Sequence, residues 1–248
     1  MNHNSQNAMI KFFRQIRQRL ITDNKFSKYL LYAVGEILLV VIGILIAFQV
    51  GSWNEDRKTK LSADTYRSKL INDLVTDTLN INQLMADGSI MHKEIEAYFK
   101  GFEIQNLSLD EYIKMSESVY AHFFRYFPIN YTFEDMQNTG NAVLLSEEQR
   151  KALIELYNEQ EFLLIIIDKS ITDIKTYQYE RGKYLDFDLS ESDFFDKVNW
   201  EQNATRKKQG LLCQHNVLTG YHSLVSLFSV HASKIKDLTK KCIDLLNK

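Results

Sequence analysis

One stretch constrains this chain more than any other: Tyr29–Trp53, reading YLLYAVGEILLVVIGILIAFQVGSW. From Ile37 to Phe48 there is no polar side chain, and Glu36 and Gln49 bracket the run. A helix rises about 1.5 Å per residue, so about 20 apolar residues cross a hydrocarbon core about 30 Å thick. Tyr29 and Tyr32 at one end and Trp53 at the other stand where interfacial aromatic anchors belong. The pattern predicts a transmembrane helix over 29–53, with the lipid bilayer as its first partner. A cleaved signal peptide is the rival reading; its apolar region runs about 7–15 residues and ends in a small-x-small site. The sequence after the run, AFQVGSWNEDRK, offers no Ala-x-Ala, which favours an uncleaved signal anchor.

Charge divides unevenly around this segment. Residues 1–28 carry Lys11, Arg14, Arg17, Arg19, Lys25 and Lys28 against Asp23 alone. The remaining bases, and all the remaining acids except Glu36, follow the span, leaving residues 54–248 acidic overall. Flanking Lys and Arg counts are nearly balanced. A short cationic tail nevertheless resists translocation, so the expected topology is N-terminus cytoplasmic and residues 54–248 periplasmic, across a cell inner membrane. The acidic balance of the large domain argues against nucleic acid as a partner.

One proline and nine glycines in 248 residues is a helical composition. Met9–Ile21 sets Ile10, Phe13, Ile16 and Leu20 on one face, the pattern of a basic amphipathic helix on an anionic leaflet. Beyond Asn54 no strong breaker occurs before Gly101, and Leu70, Leu74, Ile81, Leu84, Met91, Ile95 and Phe99 recur at helical spacing. The membrane helix is thus expected to continue outward, with Gly88 as a possible bend. Ser108-Leu-Asp-Glu111 is a capping box for a helix to about Phe124, and Thr132-Phe-Glu-Asp135 starts a short one that Gly140 can end. Ser146-Glu-Glu-Gln149 opens a long helix to about Tyr184. Its FLLIII run, Phe162–Ile167, mimics a buried strand, but some forty proline-free residues around it favour helix. Asp186–Asn199 reads as loop, and a last helix from Trp200 to Leu246 carries Leu211, Leu218, Leu224, Leu227, Phe228, Ile235, Leu238 and Leu245. The expected fold is all-α: one N-terminal transmembrane helix, then an up-and-down helical bundle in a single domain over 54–248. Cys213 and Cys242 fall in one predicted helix, about 43 Å apart along its axis, too far for a disulfide unless that helix folds back.

Three sets of residues are candidates for function. Gly43, Ala47 and Gly51 repeat at intervals of four, with Gly35 two steps further back, a small-residue line along which two membrane helices can approach. Glu36 is an ionisable residue at the edge of the span; its alternatives are an interfacial position near Lys28 or contact with a membrane partner. Tyr120, Phe123, Phe124, Tyr126, Phe127, Tyr131 and Phe133 cluster around Pro128, either lining a pocket or closing the end of a bundle. Metal chemistry finds little support. No Glu-x-x-His, His-Glu-x-x-His, Cys-x-x-Cys or calcium-loop pattern occurs. His92 and Glu96 share a helix face but lack visible partners, and on the last helix His215 and His222 share a face that His231 does not. No Gly-x-Ser-x-Gly, Walker loop or dinucleotide fingerprint is present. No catalytic residue, metal set or cofactor is therefore assigned.

MIKFFRQIRQRL…NKFSKYLLYAVGEILLVVIGILIAFQVGSWNEDRK, from Met9 to Lys58, resembles the N-terminus of a family of single-pass membrane proteins of some Gram-negative bacteria, catalogued only as a domain of unknown function. Its members show a MIKFFRKIR-like start, a YAxGEIxLVVIGILIA-like span and an NWNE-like exit, here Ser52-Trp53-Asn54-Glu55. Thr132–Asn158, TFEDMQNTGNAVLLSEEQRKALIELYN, is similar to a second stretch shared in that family. The resemblance implies an anchored helical envelope protein and brings no reaction or ligand. The leading expectation is a non-catalytic binding or scaffolding protein that self-associates or joins another membrane protein. A sensor domain signalling through a membrane partner is the alternative, with an envelope hydrolase third.

Overall fold

The computed structural model describes Arg14, Gln15, Gln18 and residues 26–103, 107–185 and 204–248. The expected amphipathic helix over Met9–Ile21 (those three residues apart), the loop over Asp186–Asn199 and the start of the last helix at Trp200 lie outside the described residues. Among the described residues all regular structure is helical. The elements are α1 (Phe26–Gly101), α2 (Leu109–Glu117), α3 (Tyr131–Asn138), a 3-10 turn (Asn141–Leu144), α4 (Glu147–Gly182) and α5 (Ala204–Leu246). The chain divides into two compact units, Met1–Ser62 and Ala63–Lys248.

In the first unit, α1 carries the apolar stretch. It is long and apolar enough to cross a membrane, and none of its most apolar window is buried by the rest of the chain. Leu31, Leu39 and Phe48 are 80%, 74% and 75% exposed.

The second unit is an up-and-down bundle whose order can be traced from contacts. Gln149 reaches Leu245, Glu155 meets Lys241, Gln178 meets Tyr221 and Arg181 meets Gln214, so α4 and α5 run antiparallel. Within this unit α1 is antiparallel to α5 as well, with Gly88 against Val225, His92 against His222 and Tyr98 against His215. The chain must return along the bundle between α1 and α4, and residues 109–145 make that return. Gln214 donates to the Ser116 carbonyl at one end, Asp77 holds Ile129 further along, and Tyr66 bonds Asp135 near the other end. The second member of the bundle is therefore only partly helical.

That return corrects the expected helix from Ser108 to Phe124, which ends at Glu117. The capping box is present, with Ser108 Oγ accepting from Glu111 N and Glu111 accepting from Ser108 N. Ser116 Oγ and Ser118 Oγ then donate to the carbonyls of Ile113 and Met115, a local competition that weakens helix continuation. From Tyr98 to Asp77, α1 rises about 32 Å. Returning from Ser116 to Ile129 over a similar distance takes about 2.5 Å per residue, more than the 1.5 Å a helix supplies. The run 119–130 has no regular structure for that reason.

One contiguous core joins Leu70, Ile81 and Ile95 of α1 with Leu163 and Ile174 of α4 and Leu224, Phe228 and Ile235 of α5. In the FLLIII run Leu163 and Ile167 are buried while Phe162 and Ile165 face out, the helical outcome. Leu227, expected among the core positions of the last helix, is exposed. Cys213 and Cys242 are both free thiols on α5.

Candidate functional sites

The membrane-type face lies within the first unit. Helical geometry of about 100° per residue puts Gly43, Ala47 and Gly51 along one side of α1. Glu36, seven residues before Gly43, falls on the same side, between Gly43 and Ala47 in angle. A Cβ placed on Gly35, Gly43 or Gly51 would meet nothing within 4 Å, so this chain leaves the small-residue line open to an outside surface.

The aromatic candidates do not share one chamber. Phe124, Tyr126 and Phe133 are buried, Phe123 is half-buried, and Tyr120, Phe127 and Tyr131 are exposed. Phe124 stands edge-on to Phe228, and Phe123 packs near Tyr221 with the Lys175 ammonium over its ring. Their organiser is Asp77 of α1, which is fully buried. Its Oδ2 accepts from Tyr126 Oη at 2.9 Å and from Gln160 Nε2 at 2.9 Å, and its Oδ1 accepts from Ile129 N at 3.0 Å. Burial pushes the Asp77 carboxyl up, against these three hydrogen bonds, which pull it down. One turn earlier, Asp73 accepts from Thr132 N at 2.9 Å and caps α3 from another helix. That explains a second correction. Helix α3 starts at Tyr131 with Asn130 as N-cap and no side-chain cap of its own, not at Thr132. Gly140 follows at φ 76°, the left-handed turn expected there.

The structure also unites residues that the sequence left apart. His92 Nε2 lies 3.4 Å from Glu96 Oε1 on α1, and the His222 ring of α5 stacks on His92 with centroids 4.2 Å apart and planes 21° from parallel. One ligand-type atom from each of the three lies within 4.8 Å of the others. His92 Nδ1 is buried without a hydrogen-bond partner. Phe99 stands edge-on to His222, and Tyr98 and Phe99 both pack against His215, about two turns away on the same face of α5. Burial lowers the His222 pKa, the neighbouring His92 lowers it further, and Glu96 opposes both. The i,i+4 spacing of His92 and Glu96 and the i,i+7 spacing of His215 and His222 were visible in the sequence. Which helix faces meet was not.

A cleft of about 430 Å³ is lined by Ser116, Glu117, Gln178, Arg181, Gln214 and Tyr221, among others. Arg181 donates to Gln214, and Gln214 to the Ser116 carbonyl. Nearer the start of α4, Glu159 lies 2.7 Å from His231 Nδ1 of α5 and accepts from Lys234 at 2.5 Å.

An all-α protein with an exposed apolar N-terminal helix and a self-contained bundle is the class these features define. A model of the family of unknown function DUF6090 matches residues 36–203, more than half of the chain, and the protein belongs to that family. The match begins at Glu36 and includes all of Thr132–Asn158, the second stretch of the resemblance. No curated protein matches the chain, and no solved structure does.

Proposed function

We propose that this is a single-pass inner-membrane protein that displays its helical domain in the periplasm for binding or scaffolding, without catalysis. The observation that carries the reading is the exposed apolar run of α1, Leu39 and Phe48 among it, which no other part of the described chain covers. Apolar surface of this extent gains most from lipid. The cationic tail before it supports a cytoplasmic N-terminus. The open line of Gly43, Ala47 and Gly51, with Glu36 on the same side, supports self-association or contact with a second membrane helix. Alkaline carbonate washing tests the anchor: the chain stays with the membranes and leaves only with detergent, and release by carbonate alone contradicts the proposal. Crosslinking in native membranes followed by mass spectrometry tests the rest. A dimer that forms equally well with Gly43→Ile and Ala47→Ile combined rules out this face.

A sensor reading has one observation in its favour, the cleft at Arg181, Gln178 and Gln214, whose polar lining suits a small polar ligand. Such a domain would signal through a membrane partner. A polar metabolite that raises the melting temperature of the full chain, and fails to after Gln178→Ala, would move the assignment to a sensor.

A further inference from the structure

We propose that His92, Glu96 and His222 form a binding site for one divalent transition-metal ion of the zinc class. The donor set is two imidazole nitrogens and one carboxylate oxygen. Such donors suit zinc, cobalt(II), nickel and copper(II), whereas calcium and magnesium take oxygen ligands. Bond lengths of about 2.0–2.2 Å around a tetrahedral ion place neighbouring ligand atoms about 3.3 Å apart. His92 Nε2 and Glu96 Oε1 already stand 3.4 Å apart. The three ligand atoms lie within 4.8 Å of one another, so His222 must close by at most about 1.5 Å, a movement within reach of its side-chain torsions.

Two features separate this group from a chance meeting of surface side chains. The residues come from rigid positions on two packed helices: His92 and Glu96 one turn apart on α1, and His222 on α5 between the buried Tyr221 and Leu224. In addition, all three residues are half-buried where the helices meet, and Glu96, its side chain 46% exposed, gives an ion a route in from solvent. Three protein ligands leave a fourth position for water or an incoming donor, the arrangement of an exchangeable rather than a closed structural site. A bound ion would also tie α1 to α5.

The test uses the full chain in detergent, purified through a tag free of histidine, with cobalt(II) or zinc(II) chloride as the probe. The wild type should take up one ion per chain, with cobalt showing the visible bands of a tetrahedral nitrogen–oxygen site, and zinc should raise its melting temperature. His92→Ala and His222→Ala should each weaken binding by at least about tenfold and abolish the thermal shift. His231→Gln, in the separate Glu159 network, should change neither. Glu96→Gln guards against variants that fail to fold, because the Glu96 side chain is 46% exposed and its loss spares the core. It should bind more weakly with an altered cobalt spectrum. Absence of stoichiometric uptake by the wild type overturns the site. So does uptake that survives combined His92→Ala and His222→Ala, or a Glu96→Gln protein that binds as the wild type does.

Discussion

Asp77 is the residue on which the bundle's irregular member depends. Removing its carboxylate takes the partner from the buried Tyr126 hydroxyl and Gln160 amide and from the half-buried Ile129 N–H. Asp77→Ala should cost about 3–5 kcal/mol in denaturant unfolding, whereas Asp73→Ala, which removes a helix cap, should cost about 1 kcal/mol. Glu159 sets a pH dependence of defined sign. Burial raises its pKa, but the His231 and Lys234 contacts outweigh burial and leave it below the ordinary 4.5. Its contribution is thus present above that value and is lost as pH falls through the lowered pKa of the folded state. The stability gap between wild type and Glu159→Gln should narrow from pH 6 to pH 3, read from unfolding midpoints. Cys242, fully buried, has its thiol pushed up to about 11 by that burial. In native protein it should resist alkylation at pH 8 and react only on unfolding, with half-buried Cys213 labelling first.

At the scale of elements, the glycines separate close contacts from free ones. A Cβ at Gly220 of α5 would meet Ile174 Cγ1 of α4 at 2.7 Å, while one at Gly182, near the end of α4, would meet nothing. Gly220→Ala should destabilise by about 1–3 kcal/mol, and Gly182→Ala should stabilise by up to about 1 kcal/mol, both measured by thermal or urea unfolding. The long helices were legible because period and local caps write them: Ser146–Gln149 begins α4, and no proline interrupts α1, α4 or α5. What stayed hidden was set by partners far away in sequence. Thr132 looked like a local start from its own Thr-x-x-Asp pattern, whereas its N–H is capped by Asp73, 59 residues earlier. The seven aromatic residues around Pro128 looked like one group, yet five lie on the non-helical run and two on α3, and both segments send some rings to the core and others to solvent. His92 and Glu96 looked solitary until α5 brought His222 onto them.

For the whole molecule, the division into a unit ending at Ser62 and a unit beginning at Ala63 matches two separate physical demands. The second unit buries its own apolar residues in one core, and the first leaves its apolar residues uncovered. The family match from Glu36 to residue 203 takes in both. It extends beyond the membrane segment, on which the resemblance fell most heavily, through α4, and ends just before α5. The proposal joins the two units through topology, a cytoplasmic tail, one crossing and an exported bundle. The most direct measurement of that claim is a paired fusion after Lys248, one reporter active only in the periplasm and one active only in the cytoplasm. A single crossing with an exported bundle gives a periplasmic signal and a silent cytoplasmic one, with the pattern lost when Leu39 and Ile42 are both changed to Arg. An active cytoplasmic reporter on the unaltered chain would contradict it.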